Sequence, residues 1–80
     1  MNLVLFKKST CPYCKKVLNT IEEIGIKDKI KLLDISEDKN KKDLIDLTGD
    51  YQVPCLVIDG KPMLESKVII NFLKEKFKKS

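Results

Sequence analysis

Eighty residues are enough for one compact domain and too few for two, and a composition of 42% hydrophobic and 35% charged residues excludes a disordered chain. All 16 basic residues are Lys, against 12 acidic ones, for a net charge of +4, and the absence of Arg, the side chain suited to bidentate phosphate recognition, argues against a nucleic-acid partner. No apolar run approaches the roughly 20 residues of a membrane span, and Leu3 to Phe6 is too short for a signal peptide, so residues 1–80 are expected to form a single cytoplasmic domain, a monomer with no membrane partner.

Leu3-Val4-Leu5-Phe6, closed by Lys7-Lys8, predicts a central strand buried on both faces. Cys11-Pro12 then opens a helix, because Pro is favoured at the first helical position, where an N–H would have no partner. Val17, Leu18, Ile21 and Ile24 recur at helical spacing and Gly25 marks the stop. Ile30, Leu32 and Ile35 predict a second strand, followed by a polar helix that begins between Ser36 and Lys39 and carries Leu44, Ile45 and Leu47. Leu56-Val57-Ile58 predicts a third strand, Asp59-Gly60 a hairpin turn, and Pro62 to Leu64 a short fourth strand that Pro62 confines to an edge. The last helix is expected to bury Val68, Ile69, Phe72, Leu73 and Phe77 and to end on Lys78-Lys79, which suits the negative end of the helix dipole. This order of elements is that of a thioredoxin-like α/β domain: a four-stranded mixed sheet flanked by three helices.

Two of the three cysteines form Cys11-Pro12-Tyr13-Cys14, and an odd count with this spacing favours a redox or metal pair over a disulfide framework. The motif sits where a strand hands over to a helix. Helix N–H groups and the positive end of the dipole stabilise a thiolate there, which makes Cys11 the candidate nucleophile. Cys14 falls on the face shared with Val17, Leu18 and Ile21, and is expected to be the less exposed, resolving thiol. A structural zinc ion needs four ligands, whereas the chain has no His and one further cysteine, Cys55. No metal is therefore expected within one chain; metal held between two chains, or a pair of unreactive core thiols, stays open. Cys55 itself reads as a buried strand residue.

Phe6 to Cys14 resembles the active-site segment of dithiol glutaredoxins, Gln52-Val53-Pro54 resembles that family's Thr-Val-Pro loop, and Ile58-Asp59-Gly60-Lys61 resembles the hairpin that follows it. The similarity runs over essentially the whole chain. It implies glutathione as co-substrate: Lys8 matches the Lys that pairs with a glutathione carboxylate and supports the thiolate, Tyr13 the residue beside the bound tripeptide, and Val53 the residue whose backbone pairs with the cysteinyl unit. Pro54 matches the family's cis-proline, while Gln52 stands where the family has Thr. The resemblance breaks at Leu64-Glu65-Ser66-Lys67, where glutaredoxins have a Gly-Gly pair and then an Asp. There Glu65-Ser66 is similar instead to the N-terminal domain of glutathione transferases, and is expected to hold the γ-glutamyl end, with Ser66 as the helix N-cap.

These features imply a glutathione-dependent thiol–disulfide oxidoreductase acting on disulfides and protein–glutathione mixed disulfides. Other readings stay open: a reductant served by a flavoprotein reductase, a carrier in which two chains and two glutathiones hold a [2Fe–2S] cluster through Cys11, and a basic binding protein that merely has this fold.

Overall fold

The computed structural model describes residues 2–77. Strands β1 (Leu3–Lys7), β2 (Ile30–Asp34), β3 (Cys55–Ile58) and β4 (Lys61–Met63) form one sheet in the order β2-β1-β3-β4. β1 is central: it runs parallel to β2, with Leu3 opposite Ile30 and Lys7 opposite Asp34, and antiparallel to β3, with Phe6 opposite Cys55. Helices α1 (Pro12–Ile24), α2 (Asp38–Thr48) and α3 (Ser66–Lys76) complete the thioredoxin-like arrangement, and a 3-10 turn over Lys27–Lys29 leads into β2.

The apolar run of β1 is unbroken because both faces of the sheet are covered. Side chains alternate across a strand, so Leu3 and Leu5 join Leu56 in a core with Val17 and Ile21 of α1 and Ile69 and Leu73 of α3. Phe6 turns the other way, with Cys55 and Val57, to meet Ile35 and Leu44 of α2. Full burial of each large aliphatic side chain contributes about 1.5–3 kcal/mol, and the face shared by α1 and α3 holds most of them. α2 sits on the opposite face, where Leu44 is its one buried apolar residue.

The ends of these elements follow local chemistry. α1 begins with Pro12 directly after an extended Cys11 and stops at Gly25, whose φ of 74° is the left-handed cap that glycine adopts without a Cβ penalty. Ile26 N–H then closes back on Ile21 O at 3.2 Å. The β3–β4 turn has positive φ at both Asp59 and Gly60, as a two-residue type I′ hairpin requires. Asp59 also ties down the start of β1, accepting from Asn2 N–H at 2.7 Å and donating its own N–H to Asn2 O at 2.9 Å.

Four expectations shift. Ile35 is buried but lies beyond β2, because the Asp34 carboxylate accepts Ser36 N–H at 2.9 Å and turns the chain. β4 starts at Lys61, one residue earlier than expected, with Pro62 on the edge. Val68 faces solvent at 43% exposure, since the α3 stripe is centred on Ile69 and Leu73 with Ile70 and Phe72 at its flanks. Ile45 and Leu47 are exposed, and α2 instead buries Asn40, whose amide donates to Asp34 O and the Glu37 carboxylate. The expected basic end at Lys78-Lys79 lies outside the described residues; Lys74 and Lys76 occupy the last described turn of α3.

Candidate active site

Cys11 is the N-cap residue of α1, in extended conformation (φ −85°, ψ 119°), with its backbone N–H donated to Lys8 O at 3.0 Å and its carbonyl accepting Lys15 N–H at 3.1 Å. That conformation leaves the Cys11 sulfur partly exposed in front of the first-turn N–H groups. Its partial burial works against ionisation. The backbone N–H of Cys14, the Cys14 thiol, the N–H of Tyr13 and the charge of Lys8 outweigh that cost and hold Cys11 below the ordinary thiol value of 9.0.

Cys14, one turn further, is fully buried. Burial is the main reason its pKa is pushed up to about 11, and the thiol hydrogen bond and charge of Cys11 add to it. The Lys8 backbone N–H and the charge of Lys7 pull the other way. Two thiols on one helix end thus differ in both access and acidity. Cys55 is buried in β3 against Phe6 and Leu44, and burial raises its pKa as well.

The remaining candidates, with one exception, gather in one cleft that reaches the Cys11 segment at Tyr13. Tyr13, Gln52, Val53, Pro54, Glu65 and Ser66 line one open cleft of about 220 Å³, together with Leu64. Of these, Pro54 is buried and follows a cis Val53–Pro54 bond, whereas Tyr13 is 58% exposed. Lys8 does not line the cleft; it is exposed in the loop before Cys11 and acts on the thiol through its charge.

Ser66 is not the N-cap of α3. Glu65 holds that position in extended conformation, its carbonyl accepting Ile69 N–H at 2.9 Å, so Ser66 is already the first helical residue. Neither side chain caps the helix, and both Glu65 and Ser66 line the cleft. Leu64, expected as the end of the fourth strand, lies just beyond β4 and lines the cleft instead, which an apolar side chain does not signal in sequence. Lys7, expected only to close the first strand, pairs its Nζ with Asp34 at 3.2 Å, a contact that depends on the strand register. Among the described residues, no three His, Cys, Asp or Glu side chains gather to hold a metal ion, and no helix is long and apolar enough to cross a membrane.

Residues 10–76 match the family described as Glutathione S-transferase, N-terminal domain. The chain belongs to this family. The glutaredoxin resemblance agrees with the relatives found: Glutaredoxin of Ricinus communis is 36% identical over 61 residues, 74% of this chain and 60% of that protein. Glutathione S-transferase DHAR2 of Arabidopsis thaliana is 33% identical over 67 residues, 84% of this chain and 30% of that protein. Among solved structures, glutathione transferase Omega 3C from Trametes versicolor matches with a TM-score of 0.81 at 27% identity, covering 96% of this chain and 34% of its own. The chain therefore spans between about a third and three fifths of these relatives.

Proposed function

We propose that this domain is a glutathione-dependent thiol–disulfide oxidoreductase that reduces disulfides and protein–glutathione mixed disulfides, with Cys11 as nucleophile and Cys14 as resolving thiol. The observation that carries this reading is the inequivalence of the two thiols: an accessible Cys11 held below 9.0 and a buried Cys14 pushed up to about 11. In the proposed cycle the Cys11 thiolate attacks the glutathione sulfur of a mixed disulfide. A Cys11–glutathione disulfide forms, the substrate's S–S bond breaks, and the substrate leaves as a thiolate. A second glutathione thiolate then attacks the glutathione sulfur of that disulfide, or Cys14, after losing its proton, attacks the Cys11 sulfur. With glutathione the products are glutathione disulfide and the Cys11 thiolate; with Cys14 they are the Cys11–Cys14 disulfide and glutathione.

The coupling of the two thiols supports this order of events. Once Cys11 is in a disulfide it carries no charge and accepts no bond from the Cys14 thiol, so two of the causes that raise Cys14 vanish while the Lys7 charge remains. Cys14 becomes easier to ionise when its attack is needed.

The cleft would hold glutathione with Val53 pairing its cysteinyl backbone, Tyr13, Gln52 and Pro54 flanking it, and Glu65 and Ser66 at the γ-glutamyl end, while Lys8 would reach a carboxylate from the loop outside the cleft. A reducing compartment such as the cytoplasm suits this chemistry. Turnover of a glutathionylated peptide with glutathione and its reductase, set beside turnover with a thioredoxin reductase, tests the assignment; activity with the thioredoxin reductase alone contradicts it.

The Glu65-Ser66 pair and the family match favour a second reading, in which the domain presents a glutathione thiolate to an electrophile as glutathione S-transferases do. Conjugation of a chloronitrobenzene in the absence of any disulfide would support that reading, and its absence would leave the oxidoreductase.

A further inference from the structure

A second groove, larger than the glutathione cleft at about 370 Å³, opens between the amino-terminal turns of α1 and α3. Tyr13, Lys16, Ser66, Lys67, Ile70 and Asn71 line it, and it shares Tyr13 and Ser66 with the cleft. The two spaces are therefore neighbours on one surface.

The lining is one-sided in charge: two Lys and no acid. β1 and β4 run in the same direction, since each is antiparallel to β3, so the helices that follow them both begin at this end of the sheet. Neither helix has an acidic residue in its first turn. The Cys11 thiolate stands at the N-cap of α1 and Glu65 at that of α3, so the positive character of the groove itself is carried by Lys16 and Lys67. The acidic residues of these helices, Glu22, Glu23 and Glu75, sit in their last turns. Glu65, just ahead of α3, lines the glutathione cleft instead of the groove. The remaining surface suits a peptide: exposed Tyr13 with the Lys16 ammonium 5.8 Å from its ring centroid, half-buried Ile70, and the exposed Asn71 amide.

We propose that this groove receives an acidic segment of the protein half of a mixed disulfide, next to the modified cysteine, while glutathione fills the adjoining cleft. The proposal rests on the glutathione reading and names the substrate class within it: glutathionylated proteins with Asp or Glu beside the target cysteine. Complementary charge of this kind acts on encounter and selectivity more than on the chemical step.

Two glutathionylated peptides that differ only in flanking Asp/Glu or flanking Lys would be compared by kcat/KM, with the mixed disulfide of glutathione and mercaptoethanol as a small substrate. Two exposed charge contacts predict a preference of about three- to tenfold for the acidic peptide at low salt, fading in 0.5 M salt. Lys16→Glu with Lys67→Glu should remove or reverse the preference and leave the small substrate unaffected. Lys16→Gln with Lys67→Gln should bring it towards one. Lys31→Glu with Lys42→Glu, the same change of net charge on β2 and α2, should leave it largely intact. Equal rates for the two peptides, or an equal response to both pairs of reversals, with the small substrate turned over normally, would overturn the groove alone. Failure of the wild-type domain to turn over the small substrate would overturn the glutathione reading and the groove with it.

Discussion

Alkylation by iodoacetamide across a pH series should modify the thiols in an order set by their surroundings. Cys14 is pushed up to about 11 against an ordinary 9.0, two units, so near neutral pH its thiolate population is about one hundredth that of an ordinary thiol. A more basic thiolate is intrinsically more nucleophilic, and a Brønsted slope of about 0.4–0.5 recovers roughly tenfold. The net expectation is a rate roughly tenfold below an ordinary thiol, before full burial slows it further. Cys11 moves the other way: lowered below 9.0, it holds more thiolate at pH 7 and loses it only as pH falls through its own pKa. Timed quenching followed by peptide mass spectrometry reads each site separately. Cys11 should react first, with a midpoint below 9.0, while Cys14 and Cys55 stay unmodified in the native protein at neutral pH. Comparable rates at Cys11 and Cys14 at pH 7, or a Cys11 midpoint at or above 9.0, would refute the reasoning.

Lys8→Ala should raise the Cys11 midpoint yet leave it below 9.0, because the N–H groups of Cys14 and Tyr13 remain; thiolate absorbance against pH measures it. Ser66→Ala and Glu65→Ala should each raise KM for glutathionylated substrates by roughly two- to tenfold, the worth of one hydrogen bond, without moving that midpoint. Leu44→Ala removes the one buried apolar anchor of α2 and should cost about 2–5 kcal/mol in urea unfolding; a loss under about 1 kcal/mol would mean that α2 is held by something else.

The sheet and the first site were legible because several local signals agreed. The unbroken run Leu3 to Phe6 could only be a strand covered on both faces, and Pro12 fixed the start of α1, which in turn fixed the inward turn of Cys14. Asp59-Gly60 allowed one kind of turn. The misreadings came where a pattern gives a face but not its centre. Val68 and Ile69 are 100° apart on a helix, and only the packing of α3 against α1 decides that Ile69 and Leu73 point inward. Ser66 is a good N-cap residue by type, yet Glu65 takes the N-cap and the helix starts at Ser66, because the chain leaving β4 stays extended only as far as Glu65. The Lys7–Asp34 pair needs the parallel register of β1 on β2, and the groove at Lys16 and Lys67 needs two helices whose starts, Pro12 and Ser66, lie far apart in sequence to begin side by side. Neither is local.

The central claim is a division of labour between the two thiols of one helix end, and turnover of a glutathionylated peptide by paired cysteine variants tests it most directly. Cys11→Ser is expected to abolish turnover with glutathione and its reductase. Cys14→Ser should retain deglutathionylation and lose only reactions that pass through the Cys11–Cys14 disulfide. Equal loss of activity in the two variants, with both folded, would contradict the account.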